Sequence, residues 1–284
     1  ILTQIPFSAI SLNEESRLIN KFKLIRLSST FKLTESSNYD SPNDALFIGG
    51  VDYNYVSEKI FRENDFSMTD IPAFKSSNSN LKELNWKYLP GTLQEINEIS
   101  NLFLLNNIDY TVLKGADASE EAIKKLDGNS PKIIHLATHG FFYENLDNSN
   151  NKKIKKGYET YTYSEDPLMR SGLILSGGNY AWTYGVNIYG EEDGVLTAME
   201  ISNLDLSNTE LVVLSACETG LGDIEGSEGV YGLQRAFKMA GVDIIIMSLW
   251  EVPDKETAEF MEKLYGYWLD GMPLRDSFNQ TQRD

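Results

Sequence analysis

The chain has 284 residues, a hydrophobic fraction of 41%, a charged fraction of 24% and a formal net charge of −17. That length supports a substantial core in one large domain or two small ones, and the acidic balance excludes an extended cationic surface for gripping nucleic acid. The single cysteine excludes a disulfide within the chain and fits a reducing, cytoplasmic setting, and the longest apolar run, around residues 244–250, falls far short of the roughly 20 residues that span a membrane.

Short apolar clusters at 5–10 and 22–27, set between Ser and Asn turns, predict two or three short strands, and ALFIGG at 45–50 predicts a stronger one. From 52 to 89 Ser, Asn, Asp and aromatic residues prevail without periodicity, the pattern of a long loop. Order resumes at PGTLQEINEISNLFLLNN, where Leu93, Ile96, Ile99, Leu102 and Phe103 recur at helical spacing and Thr92 with Glu95 has the form of a capping box. A strand at 110–113 follows, then a short helix opened by Asp117 and Glu120, then a strand at 132–139 that ends in His139 and Gly140. Strand and helix in alternation build a parallel sheet with right-handed crossovers.

After Phe142 a polar Asn-, Lys- and Tyr-rich segment reads as a solvated surface loop to Asp166, with KKIKK at its centre. RSGLILSGG at 170–178 predicts a short strand, a second glycine- and tyrosine-rich loop runs to Gly194, and 196–201 reads as helical. The apolar run ELVVLSACETGLG predicts a buried strand that delivers Cys217 to its carboxyl end. Ser227 can cap a helix with Val230, Leu233 and Phe237 on its apolar face, ended by Gly241. VDIIIMSLW predicts a buried strand, 254–269 a helix with Ala258, Met261, Leu264 and Tyr265 inward, and a last helix starts near Pro273. No internal repeat is present.

Two strands therefore deliver a thiol and an imidazole to what reads as one edge of a sheet, each followed closely by glycine. A neighbouring base activates a thiol as a nucleophile, which suits Cys217 and His139. The main-chain N–H groups of Gly140 and Cys217 could stabilise the oxyanion formed on a carbonyl. A strand-end cysteine can equally be a small core residue and a strand histidine simply a hydrogen-bonded one, so the residues alone leave both readings open. His135 and His139 are four apart, but on a strand, and with no third histidine and no second cysteine no metal or cofactor is expected. His135 reads as core support. GLGDIEGSEG matches no phosphate-binding spacing, and Asp223, Glu225 and Glu228 would repel an anion.

HLATHG, EEDGVLTAMEISNLDLSNTELVVLSACETGLG, GSEGVYGLQRAFKMAGV and SLWEVPD together closely resemble the CHAT domain family. These are caspase-like cysteine peptidases, commonly fused to tetratricopeptide repeats in bacteria and related to caspases and separase. IPFSAI, LPGT and PLMRSGLILSGGN also have counterparts in the family. The resemblance implies an α/β caspase-like fold, with a mostly parallel central sheet and helices on both faces. It implies one domain over residues 1–284, with N-terminal strands and a long loop over 1–90 and a catalytic core over 91–284, the start of the domain lying upstream of Ile1.

By the same resemblance Cys217 is the nucleophile, His139 the catalytic histidine, and the Gly140 and Cys217 main chain the oxyanion hole, with no third carboxylate. In separase-like relatives an acidic residue after a strand ending in LWD receives a basic side chain. Leu249, Trp250, Glu251 and Asp254 stand there, and Glu192 and Asp193 are further acidic residues. Asp193, Glu251 and Asp254 are thus the candidate substrate pocket for Arg or Lys. With such a pocket, Lys152, Lys153, Lys155 and Lys156 would form an autoprocessing site or a plug. The expected partners are a protein or peptide substrate and an upstream tetratricopeptide-repeat or other regulatory domain. The contrasting expectation is a catalytically silent signalling or scaffold module.

Overall fold

Apolar residues at alternate strand positions and at helical spacing fold into two sheets flanked by helices in the computed structural model of the chain. It describes residues 10–13, 16–21, 42–56, 85–143, 161, 164–184, 192–215, 228–248, 252 and 254–284. The apolar clusters at 5–10 (except Ile10) and 22–27, most of 52–89, the lysines of KKIKK, Ser227, Cys217 and Glu251 lie outside the described residues.

The described elements are α1 (Leu18–Lys21), β1 (Asp44–Val51), α2 (Pro90–Leu105), β2 (Asp109–Gly115), α3 (Glu120–Lys124), β3 (Ile133–Leu136), β4 (His139–Phe142) and β5 (Ser171–Ile174). They continue with α4 (Asn179–Tyr184), β6 (Val195–Thr197), α5 (Ala198–Ser202), β7 (Leu211–Leu214), α6 (Glu228–Met239), β8 (Ile244–Met247), α7 (Asp254–Leu269) and α8 (Leu274–Thr281). Five strands form one parallel sheet in the order β2-β1-β3-β7-β8. This is the expected α/β arrangement with a mostly parallel central sheet.

Strand residues alternate between the two faces. On one face the row Phe47, His135, Val213, Ile246 crosses four strands in register and packs under α2, α7 and α8 through Ile96, Ile99, Phe103, Met261, Leu264 and Leu274. On the other, Leu46, Ile134 and Val212 meet Ile123, Ile201, Leu233 and Phe237 of α3, α5 and α6. Helices thus cover both faces, and each buried Ile, Leu or Phe contributes about 1.5–3 kcal/mol. Gly49 lets α2 lie directly on β1, since a Cβ there would stand 2.6 Å from the Thr92 carbonyl oxygen.

Several expectations are corrected. The strand expected over 132–139 is two strands: β3 stays in the parallel sheet, while β4 pairs antiparallel with β5, and β5 with β6, in a separate three-stranded sheet. The break falls at Ala137 and Thr138, where the Ala137 N–H still bonds to Ile48 but the Thr138 hydroxyl turns to the Ile174 carbonyl. The helical stretch at 196–201 is β6 followed by α5, whose capping box is Thr197 with Glu200. The expected capping box of Thr92 and Glu95 does not form. Leu89 is the N-cap without a side-chain bond; the Thr92 hydroxyl binds the Leu89 carbonyl and the Gly50 N–H instead, and Glu95 turns into the core. Ser119, not Asp117, caps α3. The strand at 244–247 is half-buried, because among the described residues β8 is an edge of the sheet. The loop expected before Gly194 contains α4 with fully buried Trp182, and Tyr161 of the expected surface loop is buried and stacked on that ring.

Candidate functional site

β3 and β7 are adjacent, with Leu136 level with Leu214, and the Ser215 N–H continues the ladder by donating to the Leu136 carbonyl. The ends of β3 and β7 therefore stand side by side at the carboxyl edge of the sheet. His139 follows Leu136 by three residues and opens β4.

His139 is 4% exposed. Its ring lies between Tyr53 and Trp86, with centroids at 5.0 and 4.9 Å, and Nε2 is 2.7 Å from the carbonyl oxygen of Lys87. A carbonyl can only accept, so Nε2 carries the proton and, in the neutral ring, Nδ1 holds the basic lone pair. Gly140 is next in β4, an edge strand among the described residues. The Tyr143 N–H donates to the Arg170 carbonyl, so by the alternation of an antiparallel ladder Gly140 directs its own N–H away from β5.

Trp86 and the Lys87 carbonyl come from a strap at residues 85–88 that is neither helix nor strand. Asn179, at the start of α4, accepts from the Trp86 N–H at 2.8 Å and donates to the Trp86 carbonyl at 3.0 Å. Thr183, one turn on, donates to the Asn85 side chain at 2.7 Å. Sequence reasoning missed Tyr53, Trp86, the Lys87 carbonyl and Asn179. Asn179 lay within the motif PLMRSGLILSGGN, and Trp86 fell within the long loop expected over 52–89; neither position signalled a contact with His139.

Beneath the sheet edge lies a second polar group. Glu95 is 3% exposed and His135 fully buried, as the core reading of His135 expects. With its Nε2–H given to the Glu95 carboxylate, the neutral His135 ring accepts at Nδ1 from the Tyr265 hydroxyl at 3.2 Å, and burial holds that hydroxyl well above its usual pKa. His135 Nε2–H donates to Glu95 Oε1 at 2.9 Å, and the Ser215 hydroxyl to Glu95 Oε2 at 2.9 Å. Glu95 thus fastens α2 to the last described residue of the strand that leads to Cys217.

Asp193 precedes β6 at the same end of the small sheet as His139, two strands away; His139, Ile174 and Val195 form one row across it. Its carboxylate accepts from Tyr161 Oη at 2.9 Å and from the Val195 N–H at 2.8 Å. Burial raises its pKa, against these two bonds. Nearby, Lys124 Nζ lies 2.8, 2.7 and 2.9 Å from Glu120, Glu192 and Glu200. Those three carboxylates stand close enough together to hold a metal ion, but the ammonium already occupies their meeting point. Burial opposes the charge on Lys124, and its three acidic partners outweigh that, raising its pKa. Burial also pushes Glu120 up to about 8, opposed by Lys124 and reinforced by Glu200 and Asp193. Asp254 opens α7. The structure thus brings His139 and Gly140 together, with Asp193 at the same sheet end; Cys217 and Glu251 are outside the described residues.

Among the described residues no helix is long and apolar enough to cross a membrane. A family model described as CHAT domain matches residues 1–284. Tetratricopeptide repeat protein 28 of Mus musculus is similar at 32% identity over 89 residues, 31% of this chain and 4% of that protein. The Homo sapiens protein of the same name is similar at 29% identity over 89 residues, with the same coverage of 31% and 4%. The matched stretch is a small part of those relatives' length.

Proposed function

The chain belongs to the CHAT domain family, and from that premise we propose that it is a cysteine endopeptidase with Cys217 as nucleophile and His139 as its base. The observation that carries this reading is the 2.7 Å hydrogen bond between His139 Nε2 and the Lys87 carbonyl. In the neutral ring this bond leaves the basic lone pair on Nδ1, the nitrogen the proposal assigns to proton transfer. The register of Leu136 with Leu214 supports it, because His139 and Cys217 each follow their paired leucine by three residues.

Nδ1 of His139 takes the thiol proton as Sγ of Cys217 attacks the substrate carbonyl, and the oxyanion accepts from the N–H groups of Gly140 and Cys217. His139 returns the proton to the leaving amine, and water then hydrolyses the thioester. The Lys87 carbonyl serves as the orienting group of the histidine, so no third carboxylate is assigned. Asp193, Glu251 and Asp254 are proposed as the acidic pocket that selects a basic side chain before the cleaved bond. The Tyr161 hydroxyl on Asp193 is compatible with this, since a carboxylate oxygen accepts more than one donor. A domain spanning 1–284 works in this proposal under a tetratricopeptide-repeat or other regulatory partner, as the names of its relatives suggest.

Covalent capture by peptidyl electrophiles tests the dyad. Labelling should fall on Cys217 and be lost in His139→Ala; absence of labelling, with the regulatory partner present, would leave a binding module. A panel of Arg, Lys, Asp and Leu substrates tests the pocket, and cleavage after Asp alone would remove its acidic assignment.

A further inference from the structure

We propose that Asn179 is a positioning residue of this site: by clamping both main-chain groups of Trp86 it holds the Lys87 carbonyl against His139. The geometry does not depend on the peptidase reading; the kinetic consequence rests on it.

Among the described residues, the strap that carries Lys87 is fixed by the buried Trp86 ring, packed on Trp182 and His139, and by few hydrogen bonds. Among the described residues, no backbone–backbone hydrogen bond reaches residues 85–88. Their main chain is held by Asn179, through the Trp86 N–H and carbonyl, and by His139, through the Lys87 carbonyl. The Asn85 side chain adds a bond to Thr183 of the same short helix.

Asn179 suits this task in chemistry and in placement. A carboxamide offers an acceptor and a donor side by side, so it can pair with one residue's N–H and C=O as a peptide group would. An aspartate would set a second acceptor against the Trp86 carbonyl, and glutamine is one methylene too long. The amide orientation is defined, because Nδ2 also donates to Asn54 Oδ1 at 3.0 Å and a flipped amide would oppose donor to donor at Trp86. Its own main chain is pinned as well: the Asn179 N–H donates to the Tyr53 carbonyl and the Gly177 N–H to the Asp52 carbonyl, both at 3.0 Å. A Cβ on Gly178 would stand 2.6 Å from the Gly194 carbonyl oxygen, so the turn before Asn179 has no room to shift. Tyr53, whose carbonyl anchors Asn179, also lays its ring on His139. One residue, 4% exposed, therefore ties the strap, through its side chain on Trp86, to the turn after β5 and, through its main chain, to Tyr53.

The test uses the two histidines of the chain as site and internal control. In protein labelled with nitrogen-15 histidine, His135 and His139 should each show a slowly exchanging Nε2–H signal. In Asn179→Ala the His139 signal should exchange about 10-fold faster or vanish, while that of His135, bonded to Glu95, persists. A His139 signal as protected as in wild type would overturn the proposal. Loss of both signals would mark unfolding and pass the decision, by the same criterion, to Asn179→Asp, which keeps the side-chain volume and the Trp86 N–H bond. Given labelling of wild-type Cys217, the rate of labelling at saturating peptidyl electrophile should fall on the order of 10²-fold in the folded variant, with the half-saturating concentration little changed. No labelling of wild type with the regulatory partner present would overturn the peptidase reading and leave the exchange experiment intact.

Discussion

His135 and His139 stand four residues apart, on consecutive strands, and both are buried. They differ in what their nitrogens meet. His135 sits in an otherwise apolar row of the sheet, and two helices supply its partners, Glu95 from α2 and Tyr265 from α7. Both nitrogens are committed to side chains of the core, which fits an imidazole that holds structure together. His139 directs Nε2 to a main-chain carbonyl and lies between two aromatic rings at the sheet's carboxyl edge. Burial alone does not tell the two histidines apart; the chemistry of their partners does.

The contrast can be broken at several points. His139→Ala should lower peptide hydrolysis by on the order of 10⁴-fold or more in kcat, while its urea midpoint falls less than that of Glu95→Ala. Equal losses of stability would erase the distinction between the two histidines. Glu95→Ala leaves the buried His135 Nε2–H and Ser215 hydroxyl without their acceptor, and should cost about 3–5 kcal/mol in denaturant unfolding.

Glu120 provides a pH-dependent comparison, since its pKa rises from 4.5 to about 8 on folding. The folded state then binds the extra proton, so the stabilisation is fully present below about pH 4.5 and is lost as pH rises through about 8. Glu120→Gln should flatten the fall in urea midpoint between those limits; an unchanged slope would place the titration elsewhere. Tyr265→Phe removes a single hydroxyl from the His135 side and should cost about 1 kcal/mol, with Cys217 labelling unaltered.

Much of this was legible in local pattern. The helix at 254–269 matches α7, and the apolar runs at 45–50 and 210–217 correspond to β1 and β7, because burial imposes a repeat that a short window displays. The second sheet was not legible. β4, β5 and β6 are three or four residues long and buried at every position, so they show no alternation of polar and apolar residues to separate them from the parallel strands or from a helix. Glu95 misled for a related reason: three residues after Thr92 it completes a local capping pattern, yet its partners His135 and Ser215 lie 40 and 120 residues away.

By itself the sequence determined the elements of the parallel sheet, the stretches that bear His139 and Cys217, and, through its motifs, the family. Each rests on residue type and spacing within a few turns of chain, which is where the hydrophobic effect leaves its periodic mark. Only the tertiary structure decided that the histidine strand breaks into two sheets, that Glu95 braces the core, and that the Lys87 carbonyl and Asn179 hold His139. Those are hydrogen-bond choices between residues far apart in sequence: 36 positions for Thr138 with Ile174, 40 and 120 for Glu95 with His135 and Ser215, 52 for Lys87 with His139 and 93 for Trp86 with Asn179. A buried polar atom takes whichever partner the packed chain brings within about 3 Å, and no local spacing records which one that will be.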